Sequence, residues 1–368
     1  MLIDIARSEI LKEESLNNLF LSANLKDIQE SCKILNTDFY LDSFNYFPIT
    51  KKNKTFLQLF KRQDENSIDH FYTEEFYKNL IDKKNQFKLI KDSFVLGSSP
   101  ADNYFSNLMH YLPRIFFINE KKINIVIHRN LSNKFRNFIN IVCQTRGIDI
   151  SFSFVDDNFY NFENCSIPEF FNINKSIKIL KFFLDKILLN VKVPEFRSKI
   201  YIRREEANYR KILNEADLID KLRKQQFEII NPHHFEILEQ MKIFSNAEII
   251  ISPHGSNLSN IIFCKKGTKI IEISPDFNNN YEKNISSKFK DIANILSLDF
   301  KVIKADTVDV EKHSDVAKKY IHPKILDNSN YYKNMILKIS EIEALINNLE
   351  LHSLIWQLYL SANLGTQT

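Results

Sequence analysis

Glycine is scarce in this chain, five residues in 368, and none of them forms a GxGxxG or GxxxxGK[ST] run. Glycine-rich phosphate loops of the dinucleotide and P-loop kinds are therefore excluded. Cysteine is equally sparse: Cys32, Cys143, Cys165 and Cys264 stand far apart and match no metal or redox spacing. They read as reduced core residues of a cytoplasmic protein rather than as a disulfide framework. No window reaches the ~18 uncharged apolar residues of a spanning helix, and Asp4, Arg7 and Glu9 interrupt the N-terminus where a secretory signal needs its apolar stretch. Any membrane contact is then peripheral, at the inner membrane. An excess of one charge is also missing, because 50 basic side chains face 46 acidic ones for a net +4. Without a basic stripe to neutralise phosphates, nucleic acid is not an expected partner. No Asp-x-Asp triplet occurs, and His233-His234 lacks further ligands at a fixed spacing.

What remains is ordinary globular material, 44% hydrophobic and 26% charged, long enough for two domains. Residues 1–80 read as a helical or irregular extension, with a helical pattern near residues 8 to 35. From Phe87 to Ile150 short apolar runs alternate with helical patterns: Phe87 to Leu96, a helix over Tyr104 to Phe117, a strand over Ile123 to Ile127, and a helix over Lys134 to Thr145. Such alternation predicts a parallel sheet covered by helices. Ile177 to Leu189 reads as a helix, and Val193-Pro194-Glu195 as the linker that separates residues 81–192 from residues 193–323.

The second half carries the cleaner pattern. Strands are expected over Lys199–Arg203, Phe227–Ile230, Glu248–Ser252 and Thr268–Ile273. Between them fall a helix presenting Leu218, Ile219 and Leu222, capped by Asn214 with Asp217 in a capping-box-like place, a helix over Phe235 to Asn246, and a short helix over Asn257 to Phe263. This is a Rossmann-like half. Residues 324–368 place Met335, Ile339, Ile342, Ile346 and Leu349 at 4,3,4,3 spacing, which predicts one long amphipathic helix. Its apolar face can pack on the body, pair in a homodimer or lie on a membrane. Leu19–Leu25 recurs almost unchanged as Leu358–Leu364, which is too short to define a repeat.

In an open parallel sheet, ligands bind beyond the carboxyl ends of the strands. Arg203 and Arg204 close one predicted strand, His254 and Gly255 lie between a strand and a helix, and Glu272 ends another. Guanidiniums suit phosphate oxygens, the Gly255 turn and the Ser256/Asn257 helix start offer backbone amides, and a carboxylate can accept from ribose hydroxyls. The set points to a nucleoside diphosphate. Each element also fits a structural role: a salt-bridged strand edge, a core histidine, or a Glu272 paired with an arginine.

The segment YIRREEANYRKILNE, followed by FSNAEIIISPHGSNLSNIIFCKKGTKIIEISP, resembles glycosyltransferase family 61. The residues that carry the likeness are Arg203, Arg204, Arg210, Asn214-Glu215, His254-Gly255-Ser256-Asn257-Leu258, Asn260, Gly267 and Glu272, with a weaker upstream block from Asn103 to Arg114. Ser106 stands where the family usually has His, His110 where it has an acidic residue, and Asn257 where it has a second Gly. The resemblance spans about residues 87 to 305. It implies a GT-B architecture, two Rossmann-like domains facing a cleft, and an inverting transfer from a nucleotide sugar, a uridine diphosphate sugar by analogy with eukaryotic members, to a glycan or other hydroxyl acceptor in bacterial capsular or other surface polysaccharide synthesis. On this reading Arg203, Arg204, Arg210, His254, Gly255, Ser256, Asn257, Asn260 and Glu272 hold the donor, and His110 or His254 is the general base. No Mn²⁺ or Mg²⁺ is obligatory. The competing readings are a nucleotide-sugar epimerase on the same fold and a non-catalytic nucleotide-binding scaffold.

Overall fold

The computed structural model describes residues 20–22, 33–43, 46–51, 80, 82–189, 198–205, 207, 209–277, 280–310, 329–344 and 346–347. The chain divides into two units, Met1–Lys192 and Val193–Thr368, and each is α/β.

The first unit runs β1 (Phe20–Ser22), β2 (Lys33–Asp42), β3 (Phe47–Thr50), β4 (Lys88–Lys91), β5 (Ser93–Val95), a helical stretch Tyr104–Phe117, β6 (Lys122–His128), α1 (Asn133–Thr145), β7 (Asp149–Val155), β8 (Phe159–Pro168) and α2 (Ile173–Leu189). Its sheet has the order β1-β2-β8-β5-β6-β7, with β3 on β2 and β4 on β8. β5, β6 and β7 are parallel, whereas β2 is antiparallel to β1, β3 and β8. The sheet is therefore mixed rather than purely parallel.

Two expectations are corrected here. Phe20–Ser22 and Lys33–Leu35 are strand, not helix, and the strands β2 and β3 belong to this sheet instead of to a separate extension. The physical reason is long-range pairing: β2 lies along β8 for most of its length, and Leu35, Phe39 and Leu41 enter a core with Val95, Val126, Val155, Phe162 and Ile167. Residues 8–19 lie outside the described residues, as does Leu358–Leu364. α1 forms for the expected reason, since Phe135, Phe138, Ile139, Val142 and Cys143 fall on one buried face.

The second unit runs β9 (Ser198–Ile202), α3 (Glu215–Lys224), β10 (Phe227–Ile230), α4 (Ile237–Asn246), β11 (Ala247–Pro253), a 3-10 helix Ser256–Phe263, β12 (Lys269–Pro275), α5 (Asn280–Ile295), β13 (Asp299–Val308) and β14 (Asn334–Ile336). The order is β10-β9-β11-β12-β13-β14, parallel except for the last strand. Central strands covered on both faces need apolar residues at every position. Ile249, Ile250 and Ile251 of β11 and Ile200, Tyr201 and Ile202 of β9 meet that need.

The long C-terminal helix is corrected in its first part. Asn330–Tyr332 is a 3-10 turn and Asn334–Ile336 is strand. Helix covers residues 339–344 and 346–347, and residues 348–368 lie outside the described residues. Met335 is held in extended backbone by two bonds of 2.8 Å, its N–H to the Lys211 carbonyl and the Leu213 N–H to its own carbonyl. Met335, Leu337, Ile342 and Ile346 then fill one core with Ile212, Leu218 and Leu222. Asn214 precedes α3 but does not cap it with its side chain. Its amide donates to the Leu337 carbonyl at 2.9 Å and accepts from the Leu337 N–H at 3.0 Å, so both functions are used on the returning strand.

Candidate functional site

β9 is followed by α3 and β10 on one side of the second sheet, while β11 and β12 continue on the other. The chain thus leaves the β9 and β11 ends in opposite directions, which opens a crevice at this point of the sheet. Arg203 and Arg204 follow β9 there, and His254 and Gly255 follow β11.

Arg204 lies against Gly255. A methyl group on Gly255 would take the place of the Arg204 Nη1 atom, and Gly255 itself is in extended backbone, so the glycine answers a close approach rather than a backbone requirement. Arg204 donates through Nη2 to the Tyr209 carbonyl at 3.4 Å, and its Nε has no partner. Burial, and after it the charge of Arg210, pull the Arg204 guanidinium down to about 9.

Arg210 is only 4% exposed and has the left-handed φ of +58°. Its N–H donates to the Lys333 carbonyl at 2.8 Å. The guanidinium carbon sits 3.9 Å from the centre of the Tyr331 ring and 4.9 Å from that of Tyr209. Nε and Nη1 meet no acceptor. Neither Arg204 nor Arg210 has an ion pair with a carboxylate among the described residues. Two buried cations side by side, with unused donors, form a place that an anion would complete.

His254 is 1% exposed. Its N–H donates to the Ile273 carbonyl at 2.7 Å, which ties the turn to β12, and its Nδ1 is hydrogen-bonded to the buried Glu272 carboxylate. Phe289, Tyr331 and Phe277 surround the ring with centroids at 5.1, 5.5 and 5.7 Å. Burial holds the imidazole below its usual range despite Glu272. A neutral ring that donates from Nδ1 to the Glu272 carboxylate would leave Nε2 as its unprotonated nitrogen.

The structure thus brings together Arg204, Arg210, His254, Gly255 and Glu272, with half-buried Ser256 and Asn257 opening the 3-10 helix. Arg203, Asn260 and His110 are engaged in other contacts. Arg203 is an ion-pair residue: Nη1 meets Glu205, and Nη2 and Nε meet Glu215 Oε2 at 3.2 and 3.3 Å. Asn260 is fully buried and donates to Gln240 Oε1 at 2.8 Å, pinning the 3-10 helix to α4. Glu272 is engaged with His254. His110 is in the first unit, partly exposed, in the π-helical turn Asn107–Tyr111, with its ring 5.6 Å from that of Phe105. Close by in sequence, Asp102 accepts from Asn107 Nδ2 at 2.9 Å, and burial pushes its carboxyl up to about 6.

Tyr209, Tyr331, Phe277 and Phe289 were not expected. Tyr209 directly precedes Arg210 and carried that signal, whereas Tyr331 sits in a segment whose spacing suggested helix.

The model of one protein family, Glycosyltransferase 61, matches residues 44–271, more than half of the chain. The chain belongs to glycosyltransferase family 61. Glycosyl transfer is the reaction class that membership brings. The matched stretch begins upstream of the expected limit, three residues before β3, and ends at the residue before Glu272. It contains the Asn103–Arg114 block and the two arginines but not Tyr331. No curated protein matches the chain. Among the described residues, no three His, Cys, Asp or Glu side chains converge as metal ligands, and no helix is long and apolar enough to cross a membrane.

Proposed function

We propose that this protein is an inverting glycosyltransferase of GT-B type that moves a sugar from a nucleoside diphosphate sugar to a hydroxyl of a growing bacterial surface polysaccharide. The observation that carries the donor is the Arg204–Arg210 pair, buried, without carboxylates, at the crevice of a parallel sheet. Uridine is the base put first, by analogy with the eukaryotic enzymes that the motifs resemble.

In this mechanism the acceptor hydroxyl attacks the anomeric carbon as the bond to the diphosphate breaks, and the acceptor proton passes to a base. The leaving diphosphate gains negative charge, which Arg204 and Arg210 meet in a site where water cannot screen it. His110, partly exposed and of a residue type whose ordinary pKa is near neutrality, is the base we assign. His254 is closed in by aromatic rings and engaged with Glu272, so it orients the turn after β11 rather than taking the proton. With two guanidiniums in place, a divalent ion is not required.

The test is thermal unfolding with UDP, GDP, CMP and TDP and their sugar conjugates, in chelator and in Mn²⁺, alongside Arg204→Ala. A ligand at a hundred times its Kd adds ~2.7 kcal/mol. A selective rise in chelator that disappears in the variant supports the reading. No rise with any nucleotide overturns the donor class, and a rise seen only with Mn²⁺ overturns the metal-independent part.

A further inference from the structure

Arg210 has a buried charge, yet no carboxylate pairs with it among the described residues. What holds it is Tyr331, whose ring lies 3.9 Å beneath the guanidinium carbon. Tyr331 comes from the returning segment after the family match has ended, and that segment is tied down at two points. The Asn330 amide donates to the Asp276 carbonyl at 2.8 Å, just beyond β12, and the Lys333 carbonyl accepts from the Arg210 N–H at 2.8 Å. Within the segment, Ser329 Oγ accepts from the Tyr331 N–H at 3.2 Å. The same Tyr331 ring stands edge-on to His254, so one side chain borders both the cation and the imidazole of the crevice.

We propose that Tyr331 is a positioning residue that holds Arg210, by stacking, where its donors meet the diphosphate of the donor. This rests on the nucleotide-sugar reading above. A guanidinium on an aromatic face keeps its N–H edges free, whereas a carboxylate partner would occupy them. Arg203 shows the contrast, its donors taken up by Glu205 and Glu215.

The arrangement has a pH signature. The phenol faces Arg210, Arg204 and, from α5, Lys288, with His254 and Tyr332 at its edges. Burial alone would raise its pKa, but the surrounding cations outweigh it and bring the phenol below the usual tyrosine range. Ionised Tyr331 would pair with Arg210 as a carboxylate does, and anion affinity would drop.

The experiment measures affinity for inorganic pyrophosphate and for UDP by calorimetry, between about pH 7 and about pH 10, on wild type, Tyr331→Phe and Tyr331→Leu, with the unfolding midpoint of each unliganded protein. Tyr331→Leu is expected to weaken both ligands about tenfold or more at neutral pH, with a midpoint close to wild type. Tyr331→Phe, which keeps the ring and loses the ionising hydroxyl, is expected to bind within about threefold of wild type at neutral pH and to lose less affinity on the alkaline side. Wild-type affinity in Tyr331→Leu, or an alkaline limb unchanged in Tyr331→Phe, overturns the positioning role and leaves the nucleotide-sugar reading standing. Should Tyr331→Leu unfold, the Tyr331→Phe profile decides alone. A wild type that binds neither pyrophosphate nor UDP overturns that reading and the positioning role together.

Discussion

Each unit of this protein buries an arginine that pairs with no carboxylate among the described residues, and the two differ in what meets the guanidinium. Arg114, in the first unit, is fully buried; its Nη1 donates to the Leu96 carbonyl at 2.6 Å and its Nη2 to the Pro168 carbonyl at 2.5 Å, with Phe170 stacked 4.2 Å away. Only Nε is left over. Burial pulls the group down to about 9. Arg210, in the second unit, has a ring on one side and two unmatched nitrogens. Arg114 joins the ends of β5 and β8 and so works as a strut, whereas Arg210 is arranged as half of a contact. Burial of a charge alone does not mark a ligand site; unused donors do.

That contrast predicts opposite outcomes for the same substitution. Arg114→Met keeps the apolar stem and leaves two buried carbonyls without donors, which should destabilise the fold by on the order of 3 kcal/mol or more, read as a lower denaturant midpoint. Arg210→Met removes a charge that repels Arg204 and leaves no buried acceptor behind. Its stability should match or exceed wild type, while affinity for a nucleoside diphosphate falls about 10- to 100-fold, the equivalent of about 1.5–3 kcal/mol for a charged hydrogen bond. If Arg210→Met unfolds as readily as Arg114→Met, the second arginine is a strut as well, and the comparison fails.

How far the sequence revealed this division follows from the range of the interactions. Local periodicity exposed α1, α3 and the strands from β9 to β12, because each buries residues at the spacing of its own element. β7, β8, α5 and β13 were not read at all. β2 was missed because its partner β8 lies more than a hundred residues away, and no window of sequence contains both. Met335 and Ile339 fit a helical spacing, yet Met335 and Leu337 fit a strand equally well, and the backbone of Lys211–Leu213 decided between them. In the site, residue types and strand ends pointed to Arg204, His254, Gly255 and Glu272, and the family resemblance to Arg210; the structure gathers these five side by side. Residue types could not separate Arg203 from Arg204, since the difference lies in Glu205 and Glu215, and they could not find Tyr331, which reaches Arg210 only through the returning strand.

The neighbouring arginines offer a smaller and sharper version of the test. Arg203→Ala breaks partly exposed ion pairs, worth up to about 1 kcal/mol of stability, and should leave nucleotide affinity within about threefold. Arg204→Ala should weaken it about tenfold or more. Gly255→Ala separates placement from presence: extended backbone accepts the methyl group, but the group displaces the Arg204 guanidinium. The fold should persist with affinity reduced about as far as in Arg204→Ala. A variant of Gly255 that binds normally would show that the observed position of Arg204 is not the one that counts.

A further effect is expected in the slope of stability with pH, where the two units should again oppose each other. Asp102 is pushed up by burial from 3.8 to about 6. A raised carboxyl contributes stability that is fully present below its ordinary value and is lost as pH rises through about 6, because the folded state keeps the proton longer. His254 is lowered by burial from 6.5. Below that value the unfolded chain binds a proton that the folded state refuses, so this contribution is present above pH 6.5 and is lost as pH falls through the folded value. Each slope involves at most one proton, about 1.4 kcal/mol per pH unit. Urea unfolding of wild type, Asp102→Asn and His254→Gln across about pH 4 to 8 reads both. Subtracting the Asp102→Asn curve from wild type should leave a difference that declines with rising pH, and subtracting the His254→Gln curve one that grows with it. Two differences that slope the same way would mean that burial does not govern one of these groups, and a flat His254 difference would mean that its imidazole is not lowered in the folded protein.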